Sequence, residues 1–269
     1  MINGGGIKMD KTSVIGIILG IVAVAVGMVL KGVGVIALVN PAALIIIFLG
    51  TIASVMIAFP ASTMKKVPSY FKILLTEKKQ AELPVLIDMF TEWSDQTRKE
   101  GLLSLEKQLK ESDDDFLSLG LQLAVDGQSP EFIREVMLER IYAMESRHEE
   151  GAGVFAQAGT YAPTLGVLGA VIGLIAALGD MEDMAALGAA ISAAFIATLL
   201  GIFTGYVLWH PFANKLRQKS KKEVETKEIM IEGILSIING DSPVVVKEKL
   251  SSYLPSKEIA KMKQVTSDA

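Results

Sequence analysis

The chain has 269 residues, of which 51% are apolar, with a formal net charge of −4 and no cysteine. The absence of cysteine excludes disulfides, thiolate nucleophiles and cysteine-based metal sites, and two histidines leave little for a metal cluster or a catalytic triad. The mildly acidic balance, with no basic block, argues against nucleic acid as a partner.

The charged residues are confined to part of the chain. Four stretches, together 112 residues long, contain no Asp, Glu, Lys or Arg: 12–30, 32–64, 151–179 and 184–214. A membrane span needs about 20 mostly apolar residues. The pattern therefore predicts an all-α membrane protein with four transmembrane helices and a large helical cytoplasmic domain.

The N-terminal half of the chain is predicted to contain three regions. Residues 1–12 form an N-terminal segment, in which Met9 is an alternative start and 1–8 are expected to be an extension without structure. Residues 13–60 hold transmembrane helices 1 (13–31) and 2 (36–60). The first apolar run resembles a signal peptide, but no convincing cleavage site follows it, so we expect a retained helix.

Residues 61–157 are predicted to form the cytoplasmic helical domain, with almost no β structure. Ser129 and Pro130 are typical of a helix start, as the cap and the first-turn proline. Apolar residues recur at helical spacing in two runs: Leu83, Leu86, Ile87 and Phe90, and then Phe132, Ile133, Val136, Met137 and Ile141.

Residues 158–210 hold transmembrane helices 3 (158–179) and 4 (186–210), and 211–269 form a cytoplasmic helical tail that continues span 4 through Lys227. Lysines and arginines follow spans 2 and 4, whereas the link between spans 3 and 4 is acidic. Basic residues favour the cytoplasmic side. We therefore predict a multi-pass protein of the cell inner (cytoplasmic) membrane with both termini cytoplasmic. The residues that carry this bias are Lys65, Lys66, Lys72, Lys215, Arg217, Lys219, Lys221 and Lys222, against Asp180, Glu182 and Asp183.

Spans 3 and 4 each carry a stripe of small residues, a feature that lets membrane helices approach closely. Two interpretations remain open: the stripes pack against each other within one chain, or they face another subunit or a central helix. The stripes are Pro163, Gly166, Ala170, Gly173 and Ala177, and Ala189, Ala193, Ala197, Gly201 and Gly205.

Transporters and channels usually carry an ionisable residue inside their spans, and these spans hold no acid, lysine or arginine. If the protein moves ions, the titrating group must come from a partner. Its own hydroxyls, such as Thr198, ordinarily bond to their own helix. Pro163 and Pro211 each remove a backbone hydrogen bond, which gives either a static kink or a hinge.

Several separate motifs carry a family resemblance. They are QAGTYAPTLGVLGAVIGLIAAL (157–178), ISAAFIATLLGIFTGYVLWHPFANKLRQKS (191–220), TRKEGLLSLE (97–106) and VDGQSPEFIREVM (125–137). In their order along the chain they closely resemble the MotA-type flagellar stator proteins of the MotA/TolQ/ExbB proton channel family. The opening run 9–32 is similar to that of Bacillus-type members, and the resemblance extends from Met9 to Pro255.

The resemblance implies a stator subunit of the bacterial flagellar motor. Such a subunit forms with MotB a proton channel that couples ion flow to torque on the rotor. Five copies surround two MotB chains, a MotB membrane aspartate binds the proton, and the cytoplasmic domain turns the rotor protein FliG. No cofactor is implied.

The resemblance also implies roles for individual residues. Pro163 and Pro211 match the two functional prolines, and Thr198, with Tyr206 nearby, matches the pore-side threonine. Ala170 stands where sodium-driven relatives tend to carry threonine, which favours protons.

Arg98 and Glu106 match the rotor-contacting charges. On one continuous helix their side chains would lie about 80° apart and share an exposed face, unless Gly101 breaks that helix. His148 lies beside Glu149 and Glu150, but adjacent residues do not share a helix face, so no metal site is expected. His210 is expected to be an interfacial polar group.

Four alternatives remain. A sodium-driven stator of the same family would differ only in its ion. A TolQ- or ExbB-like envelope energiser usually has three spans, and a membrane scaffold would carry no current. An enzyme is disfavoured because no nucleophile–base pair or metal constellation is present.

Overall fold

The computed structural model describes residues 8–77, 83–179, 184–255 and 259, apart from the side chains of Lys8 and Glu111. Helices make up most of these residues. The α-helices are α1 (Lys11–Leu30), α2 (Pro41–Ala58), α3 (Ala61–Met64), α4 (Val67–Leu75), α5 (Leu83–Glu100), α6 (Glu106–Glu111), α7 (Asp115–Val125), α8 (Pro130–Leu178), α9 (Met184–Phe203), α10 (His210–Ile238) and α11 (Pro243–Ser251). Among the described residues, β structure is limited to the antiparallel pair β1 (Lys8–Met9) and β2 (Thr76–Glu77).

Within the described residues four helices are long and apolar enough to cross a membrane, as predicted. The second begins later than expected, at Pro41, because a short 3-10 helix over Val35–Leu38 precedes it. Asn40 fixes this start, since its side chain accepts a hydrogen bond from the Ala43 amide at 3.1 Å and proline follows at the first helical position.

Spans 3 and 4 are parts of much longer helices. Helix α8 has 49 residues, and Ser129 caps it as predicted, with its Oγ accepting from the Phe132 amide at 3.3 Å. Helix α9 continues through a π-helical segment over Thr204–Trp209 into α10, which ends at Ile238. The continuation predicted through Lys227 is therefore confirmed. The acidic link 180–183 lies outside the described residues.

One compact unit, here the charged unit, contains the described residues of 83–146 and 220–259. The predicted faces form its core: Leu86, Ile87, Phe90, Ile133 and Met137 are each 0% exposed. Phe132 is 45% exposed, and its place on the buried face was wrong. Consecutive helical residues point about 100° apart, so two neighbours are both buried only where the packed face is wide, as at Leu86 and Ile87; at Ile133 it does not extend to Phe132.

The other compact unit, here the membrane unit, contains the described residues of 8–77 and 147–219. It includes α3 and α4, which the sequence assigned to the 61–157 domain. The bounds of a compact unit do not show where the membrane surface lies, so the predicted domain bounds stay predictions. Lys8 pairs with Glu77 in the β ladder, which contradicts the expected absence of structure at that residue, whereas 1–7 lie outside the described residues.

Candidate ion-path and partner-contact sites

Helices α8 and α9 cross at a pair of glycines. A Cβ placed on Gly166 would lie 2.8 Å from the Ala197 carbonyl oxygen, and one on Gly201 would lie 2.8 Å from the Ala162 carbonyl oxygen. Real Cβ atoms do not come this close to backbone, so only glycine permits the approach. At this level the small-residue stripes pack against each other within one chain.

The other end of the stripes is only partly covered: Ala177 is 9% exposed, but two other positions are uncovered. Gly173 has no atom within 4 Å of its Cβ position, and Ala189 is exposed. Some small residues there are not covered by the described part of this chain. Another helix could approach them as closely as α8 and α9 approach each other at the glycine crossing. Packing within the chain accounts for one half of the stripes, and the interpretation that they face another helix remains open for the other half.

Pro163 lies inside α8 and packs against the π-helical segment. A Cβ on Gly205 would lie 2.7 Å from Pro163 Cγ and 2.8 Å from the Gly159 carbonyl oxygen. Since proline has no N–H, it cannot donate the usual helical hydrogen bond to that carbonyl. Pro163 of span 3 therefore contacts the π-helical segment of span 4.

Pro211 is the second residue of α10, directly after the π-helical segment. It cannot donate to the carbonyl four residues earlier, and a wider turn accommodates the lost bond. Within that segment Tyr206 is 64% exposed, and its ring centroid lies 5.3 Å from that of His210. The His210 ring covers Gly159, whose Cβ position is 2.8 Å from the ring.

The other predicted ion-path residues are Thr198 and Ala170. Thr198 is half-buried, and its hydroxyl donates to the Ala194 carbonyl at 3.2 Å, the own-helix bond expected of an intramembrane threonine. Ala170 is 9% exposed. The ion-path roles of both residues stay predictions.

The rotor-contact candidates do not lie on one helix. Gly101 has a φ of +84° and directly follows the last residue of α5, so the helix breaks at the glycine, the alternative that the sequence left open. A 3-10 helix over Leu102–Leu105 joins α5 to α6. Glycine is required because side chains with a Cβ rarely adopt positive φ.

Arg98 and Glu106 flank this turn, and both are exposed. Neither forms an ion pair within the described part of the chain, whereas the adjacent Lys99 pairs with Asp95. Between them Leu103 is 66% exposed. Sequence analysis missed Leu103, because an LLSL run does not show which leucine faces outward.

An ion cluster at the start of α1 was also missed. Asp10 is 4% exposed and caps α1. Its carboxylate lies 2.9 Å from Lys215 Nζ and 3.1 Å from Lys219 Nζ, and it accepts from the Thr12 hydroxyl at 2.8 Å. The partners are about 200 positions away along the chain, so no local pattern could reveal the cluster.

Burial raises the pKa of Asp10, but hydrogen bonds from Lys215, Thr12, the Ser13 amide and Lys219 outweigh burial and hold its pKa well below the usual range. Asp10 is therefore ionised at neutral pH and binds the start of α1 to α10.

A second ion pair joins α8 to α10 outside the spans. Arg217 donates to Glu149 through Nε at 3.0 and 3.1 Å and through Nη2 at 2.6 Å. These hydrogen bonds lower the pKa of Glu149. Among the described residues no three acidic or histidine side chains gather as a metal would require. The absence of a metal centre stays a prediction.

Comparison with known proteins places the chain in a family. The MotA/TolQ/ExbB proton channel family matches residues 108–229. The chain is 62% identical to motility protein A of Bacillus subtilis over 250 residues, which cover 93% of each chain.

Two solved structures have the same fold. The flagellar MotAB stator complex from Bacillus subtilis superimposes with a TM-score of 0.90 at 62% identity, covering 94% of this chain and 99% of that one. The C. jejuni MotAB structure gives 0.88 at 29% identity, covering 92% and 97%. The chain therefore belongs to the MotA/TolQ/ExbB proton channel family and, within it, to the motility protein A group.

Proposed function

We propose that the chain is a stator subunit of the bacterial flagellar motor that forms a proton channel with a MotB-like partner. The full-length likeness to a flagellar stator complex, with a TM-score of 0.90, carries this proposal. The spans supply no acid, lysine or arginine. A proton path through them therefore requires a carboxylate from the partner, which is the membrane aspartate of MotB.

The open ends of the small-residue stripes suit a central partner. Uncovered Gly173 and Ala189 let another helix approach the backbone closely. Five copies of the chain around two partner helices would line the ion path with such faces. Thr198, Tyr206 and Ala170 would contribute to this path, and the transported ion is the proton.

The prolines couple the ion path to the long helices. Pro163 contacts Gly205 at the π-helical segment, and Pro211 lies two residues after the end of that segment. A change in either kink would redirect α8 or α10, because both helices continue well past the spans. Torque would reach FliG through Arg98 and Glu106, whose exposed charges have no competing ion pair within the described residues. Exposed charges steer and orient a partner more than they bind it tightly.

The chain acts without a cofactor and is not an enzyme. We place it in the cell inner membrane with both termini cytoplasmic, because several lysines and arginines follow spans 2 and 4, whereas the two links on the opposite side carry a single lysine, Lys31. The charged unit would then meet the rotor in the cytoplasm.

The test expresses the chain with its MotB-like partner in a non-motile strain that lacks its own stators. We expect swimming to be restored and proton uptake to accompany it. Exchange of the partner's membrane aspartate for asparagine should abolish both, although the complex still assembles. Swimming that survives this exchange would contradict the proposal. Speed that follows external sodium at fixed pH would instead identify the sodium-driven sister.

A further inference from the structure

An aromatic cluster marks the depth of α4 in the membrane unit. The ring of Phe71, on α4, lies 5.1 Å from Phe155, 6.4 Å from Trp209 and 6.3 Å from Phe212. Phe155 directly precedes span 3, and Trp209 and Phe212 lie where span 4 ends. Since aromatic residues, Trp above all, gather at the membrane–water boundary, α4 lies at the level of the lipid headgroups.

Helix α4 has one packed face and one free face. Tyr70 and Leu74 are 9% and 1% exposed and pack with Phe155 and its neighbours. On the two flanks of this packed face, Ile73 and Leu75 are 45% and 39% exposed. A short helix with one face fixed to the spans and exposed aliphatic side chains is suited to lie in the interface.

The basic residues near this level fall into two groups. Lys215, Arg217 and Lys219, on α10, are bound to Asp10 or Glu149. By contrast, three lysines, two in the turn between α3 and α4 and one on α4, are exposed, and none forms an ion pair within the described residues: Lys65, Lys66 and Lys72. The internal ion pairs thus neutralise the cations of α10, whereas the three exposed lysines are available to bind an external anion.

We propose that α4, with Lys65, Lys66 and Lys72, is a docking surface for the anionic headgroups of membrane phospholipids. The three ammonium groups meet the headgroup phosphates, and one flank of α4, with its exposed aliphatic side chain, faces the acyl boundary. The surface contains none of the residues assigned to the ion path or to the rotor contact, so this inference goes beyond the proposed function. In this proposal, α4 fixes the depth at which the helices of the membrane unit lie in the bilayer.

Trp209 provides a local probe, because the chain has only two tryptophans and the other, Trp93, is in the charged unit. The full chain, complexed with its partner, is reconstituted with every other tryptophan replaced by phenylalanine. Quenching of Trp209 by brominated phosphatidylglycerol or brominated phosphatidylcholine then gives the relative affinity of the two lipids beside α4.

We expect phosphatidylglycerol to be preferred about tenfold or more, and the preference to fall as salt is added. Each lysine near an anionic surface contributes about fivefold. The triple variant K65Q, K66Q and K72Q should therefore remove most of the preference. The matched triple variant K110Q, K221Q and K222Q loses the same charge from exposed lysines of the charged unit and should keep it.

A charge-retaining triple variant, K65R, K66R and K72R, separates charge from misfolding and should also keep the preference. Equal quenching by the two lipids in the unaltered chain, or an unchanged preference in the glutamine variant, would overturn the proposal. Inorganic phosphate should act no more strongly than chloride at equal ionic strength. Selective competition by phosphate would instead identify a soluble-anion site and overturn lipid docking.

Discussion

The glycine crossing of α8 and α9 can be tested with one added methyl group. In Gly201→Ala the new Cβ would lie 2.8 Å from the Ala162 carbonyl oxygen and 2.8 Å from Gly166 Cα, whereas ordinary contact begins at 3.4 Å. Both neighbours are backbone, so no side chain can rotate away. The two helices must separate by roughly 0.6 Å, the difference between the contact and the clash.

The size of the effect follows from two opposing contributions. Overpacking of a close contact costs about 1–3 kcal/mol. Alanine gains up to about 1 kcal/mol over glycine in helix propensity. We therefore expect Gly201→Ala to lower the free energy of unfolding by about 1–2 kcal/mol. Gly173→Ala, where no atom lies within 4 Å, should be neutral or slightly stabilising.

The assay measures thermal unfolding of the full chain in one detergent for both variants. The two substitutions are chemically identical and lie on the small-residue stripes, so they differ only in the space around the new methyl group. Equal midpoints for Gly201→Ala and Gly173→Ala would refute the close approach. A loss of swimming in Gly173→Ala without a loss of stability would show that a partner helix covers that position.

Three further predictions follow from named contacts. Asp10→Asn should destabilise the chain by about 1–3 kcal/mol, because Lys215 and Lys219 lose their counter-ion. Since the folded-state pKa of Asp10 is lowered, its contribution is complete above the ordinary value of 3.8 and is lost as pH falls through the folded-state pKa. The stability difference between the two proteins, measured by denaturant unfolding against pH, should therefore shrink in acid, and a constant difference would count against the cluster. Pro163→Leu should leave membrane insertion intact and abolish swimming, and normal motility would exclude the hinge. Reversal of Arg98 or Glu106 should impair swimming and be partly rescued by a complementary reversal on the rotor protein, and failure of every pair would argue against direct contact.

Local patterns predicted the parts of this fold that depend on neighbours along the chain. Uncharged length identified four spans, and helical spacing identified Leu86, Ile87 and Phe90 as core residues. Ser129 was recognised as a cap because capping depends on residues within one turn. The start of span 2 was misplaced, since an apolar run does not distinguish the 3-10 helix over Val35–Leu38 from the span that follows it.

The candidate sites divide in the same way. The motif runs named the candidate prolines and the candidate rotor-contacting charges by residue, and their roles stay predictions. They did not show that Pro163 meets Gly205, or that Gly101 places Arg98 and Glu106 on separate helices. The first depends on how two spans cross, and the second on a backbone angle that no spacing argument measures.

The sequence by itself determined that the chain crosses the membrane four times and contributes no acid, lysine or arginine to its spans, because hydrophobic length and charge are properties of composition. Only the tertiary structure decided which lysines and arginines remain available to bind an external anion. It binds Lys215 and Lys219 to Asp10 and Arg217 to Glu149, and it leaves the lysines of α4 and of the turn before it exposed. Ion pairing over such distances along the chain depends on how the helices pack, and therefore becomes visible only in the folded protein.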